Sequence, residues 1–173
     1  MKYLDRIANT AIIIAVVIFI IVVIRSGYLK PRPTAVNLPS SGLVGRQISL
    51  PGVRFPAEHD SLVLAISATC HFCKDSMPFY RELTAQAKGT LNVIAALPQP
   101  QAQAEAFVNN SGLTETKVVS VNLAEIGVYG TPTLLLVNDV GKVKAAWVGK
   151  QDEDGRRKIL AAAIPGPSMA THD

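Results

Sequence analysis

Residues 43–164 alternate short apolar runs of strand length with longer segments of helical periodicity. Such a pattern is typical of an α/β domain. It predicts strands at 62–67, 91–97, 117–121, 133–138 and 142–148, and helices at 70–88, 101–110, 122–126 (short) and 152–163. Before them, residues 45–53 predict an extended lead-in or a hairpin, with a turn at Pro51-Gly52. Strands separated by helices favour a mainly parallel sheet covered on both faces, to which the final hairpin adds an antiparallel edge.

A longer apolar stretch lies near the start of the chain. Residues 7–24 are apolar apart from Asn9 and Thr10, and as a helix they would extend about 27 Å, close to the thickness of a bilayer core. A cleaved signal peptide is the alternative, but no clear small-x-small cleavage site follows. The sequence therefore predicts an N-terminal flank (1–6), a transmembrane anchor (7–25), a Pro/Ser-rich linker (26–42), one folded domain (43–164) and a disordered tail (165–173).

The net charge of +4 comes entirely from the N-terminal part. Residues 1–42 carry five basic side chains and one acidic side chain, and the rest of the chain carries twelve of each. The folded domain thus has no basic excess for phosphates, and nucleic acid is not an expected partner. Basic residues lie on both sides of the apolar stretch, so charge alone does not orient the anchor.

The only two cysteines form a C-x-x-C motif, Cys70-His71-Phe72-Cys73, between an apolar run and a predicted helix. The free N–H groups of a helix N-terminus stabilise a thiolate, which favours Cys70 as the nucleophile. A second thiol one turn later can displace a mixed disulfide, so we expect Cys73 to be the resolving thiol. Because disulfides persist outside the cytoplasm, this chemistry favours an extracytoplasmic domain, periplasmic or on the outer face of the membrane.

Other uses of two cysteines fit less well. Structural zinc needs about four ligands, and His71 is held between the two thiols. Covalent haem attachment needs a histidine directly after the second cysteine, where Lys74 stands. His59 and His172 have no partners at metal-ligand spacing, so we expect no metal and no cofactor. Two buried, inert thiols remain an alternative.

A second motif strengthens the redox hypothesis. The C-x-x-C motif is followed by Lys74 and by Pro78, five residues past Cys73, and Gly130-Thr131-Pro132-Thr133 precedes an apolar strand. Together these features resemble the thioredoxin superfamily over about residues 60–163. The resemblance implies a thioredoxin-like α/β fold, with a central mixed sheet flanked by helices, carried here on a single transmembrane helix. It also implies a cis Thr131–Pro132 bond that faces the cysteines and binds substrate.

The subgroup that the chain resembles most is the TlpA/ResA group of membrane-anchored thiol–disulfide oxidoreductases. The similarity lies in the lead-in Val44-Gly45-Arg46, the anchor, and an extra helix–strand unit at about 100–121. It implies reduction of disulfides in extracytoplasmic protein substrates, for example in cytochrome c maturation, with an upstream electron donor in the membrane.

Three residues around the motif are candidates for tuning the thiols. His71 can stabilise the Cys70 thiolate and make the disulfide more oxidising. Lys74 adds positive charge, and Phe72 can cover the pair or contact a substrate. Each has a plainer alternative, which is a solvent-exposed side chain at the start of a helix.

The chain also departs from the thioredoxin pattern. Leu64 stands where thioredoxins carry a buried acid, and Thr69 replaces a tryptophan, so that its hydroxyl can cap the helix. Glu58, in the lead-in, is either an alternative acid or a surface carboxylate. The general base for Cys73 is therefore unassigned.

Two other functions remain open. A non-enzymatic module could hold Cu(I) between its thiols or bind a protein, although no further histidine stands at an interpretable place. Peroxidase chemistry would use Ser67, three residues before Cys70, but Val63 and Leu64 stand where a proline would help.

Overall fold

The computed structural model describes residues 12–18 and 42–164. The predicted flank (1–6), most of the anchor (7–25), almost all of the linker (26–42) and the tail (165–173) lie outside the described residues. Residues 12–18 are α-helical with exposed side chains. Over the two described ranges, no helix is both long and apolar enough to cross a membrane.

The chain divides into two units, Met1–Thr34 and Ala35–Asp173, and the second carries the predicted folded domain. Its elements are β1 (Ser61–Ala65), α1 (His71–Gln86), β2 (Asn92–Leu97), α2 (Gln101–Asn110), β3 (Lys117–Ser120), β4 (Thr133–Val137), β5 (Val143–Val148) and α3 (Glu153–Ala163). All eight long elements predicted from the apolar pattern are present, with ends that differ by at most two residues.

The five strands form one sheet in the order β3-β2-β1-β4-β5. β1 pairs in parallel with β2, and β2 with β3, whereas β1–β4 and β4–β5 are antiparallel. The sheet is therefore mixed, as the thioredoxin-like fold class implies, and not mainly parallel. The difference arises because β4 enters antiparallel to β1, so that the hairpin contributes two antiparallel pairings.

Side chains alternate between the two faces of the sheet. On one face, Leu62 and Leu64 of β1 share a core cluster with residues of all three helices, including Tyr80, Val108 and Ile159. On the other face, Val63 and Ala65 pack in a cluster with residues of the lead-in and of the segment 119–128. Helices therefore contribute to only one of the two clusters.

Two local features of the second face refine the sequence predictions. The lead-in is extended, because Gln47 pairs with Lys142 and the Ile48 N–H donates to the Gly141 carbonyl at 2.8 Å. The predicted short helix at 122–126 is wrong, since residues 123–127 form successive turns. Gly127, with φ of 79°, closes this segment in a left-handed conformation that ends a helical path.

Candidate active site

Cys70 lies at the carboxyl end of the central strand β1, in the turn that leads into α1. Its N–H donates to the Ser67 carbonyl at 3.1 Å, and its backbone is extended (φ −81°, ψ 117°), as expected of the residue that caps a helix. The Cys70 Sγ accepts a hydrogen bond from the Cys73 N–H at 3.1 Å. The C-x-x-C spacing thus makes Cys70 the N-terminal cap of α1, because a cap side chain reaches the N–H three residues later.

The expected capping role of Thr69 is therefore wrong. Its hydroxyl instead lies 3.1 Å from the Ser67 hydroxyl, within the turn. Thr69 is one residue too early to reach the free N–H groups of α1, which begins at His71.

The segment Thr131-Pro132 meets Cys70 because of the pairing between β1 and β4. Ala65 at the end of β1 pairs with Thr133 at the start of β4, so the residues after 65 and before 133 share one edge of the sheet. There the Cys70 thiol donates to the Thr131 carbonyl at 3.3 Å. The Thr131–Pro132 bond is cis, which confirms the prediction. The Pro132 carbonyl accepts from the Gly149 N–H at 2.7 Å, which ties the loop to the end of β5.

The two thiols differ in exposure, and the more buried one has a raised pKa. Cys70 is half-buried, whereas Cys73 is fully buried, and both are free thiols. Burial, together with the hydrogen bond to Cys70, raises the pKa of the Cys73 thiol to about 12. Cys73 therefore stays protonated at neutral pH, while the Cys70 sulfur has solvent access and a backbone donor for its thiolate. This asymmetry suits the predicted roles of attacking and resolving thiol.

The surroundings of Cys73 contain no carboxylate from β1. Leu64 is completely buried, in the same cluster as Cys73. Tyr80 also packs in this cluster, and burial raises the pKa of its hydroxyl, which stays neutral. Glu58 is exposed and lines a pocket at the amino end of β1, the opposite end from Cys70. Glu58 is therefore the surface carboxylate of the two alternatives, and Leu64 supplies no proton acceptor.

The three candidate tuning residues are all exposed. The His71 side chain is 81% exposed, and its Nε2 lies 3.6 Å from Asp75 Oδ2, one helical turn along α1. Lys150, from the loop after β5, donates to the same Asp75 oxygen at 2.8 Å. This hydrogen bond holds the pKa of the Asp75 carboxyl below its usual range. Phe72 packs edge-on against the His71 ring, with 5.8 Å between the ring centroids.

The Asp75–Lys150 pair was not predicted from the sequence. The four-residue spacing of His71 and Asp75 does indicate that these two side chains can meet on one face of a helix. Lys150 gave no signal, because 75 residues separate it from Asp75.

Two large exposed aromatic side chains stand close in sequence to the residues of the Cys70–Thr131 contact. Phe72 is 55% exposed and follows Cys70 by two residues, and Tyr129 is 85% exposed and precedes Thr131 by two. Trp147, by contrast, is partly buried against the helix-side core. Among the described residues, no group of three or more His, Cys, Asp or Glu side chains is placed to hold a metal ion.

Solved structures of thiol–disulfide proteins share this fold. The chain is similar to a thiol-disulfide isomerase from Corynebacterium glutamicum (TM-score 0.55, 13% identity, 71% of this chain and 98% of that chain covered). It is also similar to a protein from Chlorobium tepidum described as a thiol:disulfide interchange protein DsbE (TM-score 0.53, 21% identity, 69% and 99% covered). A third is a thiol:disulfide interchange protein from Bacteroides sp. (TM-score 0.52, 14% identity, 67% and 80% covered).

No protein-family model and no curated protein matches the sequence. At these identities the structural similarity establishes the fold, which is thioredoxin-like.

Proposed function

We propose that this chain is a membrane-tethered thiol–disulfide oxidoreductase that reduces disulfides in extracytoplasmic protein substrates. The observation that carries the proposal is the environment of Cys70. Its half-buried sulfur lies between the Cys73 N–H (3.1 Å) and the Thr131 carbonyl (3.3 Å), with a fully buried second thiol one turn away.

The reaction follows from this asymmetry in two steps. The Cys70 thiolate attacks one sulfur of a substrate disulfide, forms a mixed disulfide and releases the first substrate thiolate. Cys73 then loses its proton and attacks the Cys70 sulfur, which closes the Cys70–Cys73 disulfide and releases the second substrate thiolate. The substrate gains two electrons and the chain loses two, so each turnover requires a reductant that restores both thiols.

The proposed substrate is an extended polypeptide segment. The Thr131 loop lies beside the reacting sulfur, at the point where the chain enters β4. A segment that runs alongside this loop can form main-chain hydrogen bonds, so that recognition depends on backbone more than on sequence. Phe72 and Tyr129, each two residues from Cys70 or Thr131 in sequence, supply exposed apolar surface for such a segment.

The membrane part of the proposal rests on the predicted anchor at 7–25 and on the persistence of disulfides outside the cytoplasm. A tether would hold the domain near an electron donor in the membrane, and cytochrome c maturation is one process with such a need. A membrane-impermeant maleimide should label Cys70 in intact cells that produce the full chain. Labelling only after lysis would overturn the extracytoplasmic location.

The reduction potential of the Cys70–Cys73 pair tests the direction of the reaction. The full chain in detergent is equilibrated against glutathione redox buffers, and its thiols are counted by alkylation. A potential at or below about −220 mV supports a reductase, whereas one above about −150 mV makes the chain a disulfide donor. Failure to exchange with glutathione at all would overturn the enzyme proposal and favour the copper-binding or protein-interaction module.

A further inference from the structure

A polar side chain outside the two motifs contacts the turn that carries Cys70. Gln99 lies two residues after the end of β2, between Pro98 and Pro100. Its Nε2 donates to the Ser67 hydroxyl at 2.9 Å, and its Oε1 accepts from the Ala68 N–H at 3.4 Å. These bonds form because β1 and β2 are parallel neighbours, with Ala65 opposite Ala96, so that both strands end at the same edge.

Gln99 is itself fixed to the sheet. Its carbonyl accepts a hydrogen bond from the Ser120 hydroxyl at 2.7 Å, at the end of the edge strand β3. The side-chain amide therefore joins the framework of three parallel strands to the turn at Ser67–Cys70. Its orientation is set as well, since the Ala68 N–H requires an acceptor and so places the oxygen on that side.

The donor and the acceptor of each hydrogen bond in this turn can be assigned. A serine hydroxyl has two acceptor positions and one proton. The Ser67 Oγ accepts from Gln99 Nε2 and from the Thr69 N–H at 3.4 Å, which fills both positions. Its own proton must then go to the Thr69 hydroxyl oxygen, 3.1 Å away. The Thr69 hydroxyl thus accepts from Ser67 and keeps its own proton to donate elsewhere.

The end of this chain of hydrogen bonds is the residue next to Cys70. Thr69 is exposed, whereas Ser67 is buried. We propose that Gln99 is a positioning residue of the redox site. Through Ser67 and the Ala68 N–H it holds the turn that leads to Cys70, and so fixes the position in which the Cys70 sulfur accepts the Cys73 N–H. This inference deepens the proposed function and rests on it for its role in exchange.

The test measures the pH midpoint of Cys70 thiolate formation, from its ultraviolet absorbance, in the full chain carrying Cys73→Ser. Gln99→Leu removes the amide at similar volume. It should raise the midpoint and slow alkylation of Cys70 at neutral pH by about threefold to tenfold, the effect of one lost hydrogen bond. In a Ser67→Ala background the same substitution should have a smaller effect, because only the contact with the Ala68 N–H is then left to lose.

Gln101→Leu is the matched control. The Gln101 amide also holds this edge of the sheet, donating to the Val118 carbonyl at 3.0 Å and accepting from the Ser120 N–H at 2.9 Å. It makes no hydrogen bond to residues 67–70 among the described contacts. Its removal should therefore lower stability without moving the Cys70 midpoint.

The inference fails if Gln99→Leu leaves the midpoint unchanged, if Gln101→Leu moves it equally, or if the effects of Gln99→Leu and Ser67→Ala add in full. Should Gln99→Leu not fold, Ser67→Ala removes the acceptor of the Gln99 amide with a smaller change and is predicted to move the midpoint in the same direction. An unchanged midpoint in that variant would also overturn the inference. Exchange with glutathione disulfide is measured in the same experiment. If the unmodified chain does not exchange, the proposed function is overturned. The pH midpoints of Cys70 test the role of Gln99 independently of that result.

Discussion

The Cys70 sulfur lies 3.3 Å from the Thr131 carbonyl oxygen, although the two residues are 61 positions apart in the chain. This contact places the reacting sulfur between an acceptor and the Cys73 N–H donor. The neutral thiol can use both groups, but the thiolate loses the bond to the carbonyl and keeps only the donor. Deprotonation therefore frees the Thr131 carbonyl at the moment when Cys70 becomes a nucleophile.

The raised pKa of Cys73 has a consequence for stability at alkaline pH. The folded state holds the Cys73 proton up to a pKa of about 12, compared with 9.0 for an ordinary thiol. Between these values the folded state binds more protons than the unfolded state, so stability is fully present below pH 9 and is lost as the pH rises. In the reduced chain this loss should be roughly 1 kcal/mol per pH unit above 9.

Cys73→Ala provides the comparison for this prediction. It removes the titrating group and costs stability by a constant amount. The difference in free energy of unfolding between the reduced chain and the variant, measured in urea from pH 8 upward, should shrink as pH rises. A difference that stays constant through this range would show that Cys73 is not shielded from solvent as described.

The Asp75 carboxyl should titrate differently once its lysine partner is removed. The hydrogen bond from Lys150 holds the pKa of Asp75 below its usual range. In Lys150→Met we expect the Asp75 midpoint to rise, as observed by NMR of the side-chain carboxyl. The pair's contribution to stability is present above the ordinary pKa of Asp75 and is lost as the pH falls through the depressed pKa.

Lys144→Met is the control for this titration. Lys144 forms an ion pair of the same kind with Asp60, at 2.6 Å. Its removal should leave the Asp75 midpoint where it is. If both lysine substitutions move Asp75 equally, the shift comes from overall charge and not from the Lys150 contact.

The exposed aromatic residues near the site should affect large substrates only. Phe72→Ala and Tyr129→Ala remove exposed side chains, so the free energy of unfolding should change by less than about 0.5 kcal/mol. Each should slow reduction of a disulfide-bonded protein such as insulin by about threefold to tenfold, while exchange with glutathione disulfide stays the same.

Val140→Ala is a matched control for these two variants, because Val140 is 59% exposed in the turn between β4 and β5. It should alter neither rate. Equal slowing with glutathione disulfide in the aromatic variants would instead mean that these side chains tune the thiols.

Much of the fold and of the site could be predicted from local sequence. The alternation of apolar runs marked the strands and long helices, because strand and helix periodicities differ. The C-x-x-C spacing identified both thiols, because one helical turn brings residues three positions apart together and no distant contact is needed. The family resemblance predicted a cis Thr131–Pro132 bond, and the structure contains it.

What local sequence could not supply depends on contacts between distant residues. The links from Gln99 to Ser67 and from Lys150 to Asp75 join residues 32 and 75 positions apart. The short helix predicted at 122–126 is replaced by successive turns, in which the Glu125 and Gly127 N–H groups donate to carbonyls three residues earlier.

The most direct test of the account is to trap the first intermediate. The full chain with Cys73→Ser, reduced and then mixed with a disulfide-bonded protein, should accumulate a mixed disulfide that peptide mass spectrometry places at Cys70. Cys70→Ser should form almost none, because Cys73 is buried and protonated. A mixed disulfide at Cys73 in the Cys70→Ser chain, or none in either variant, would contradict the assignment of Cys70 as the attacking thiol.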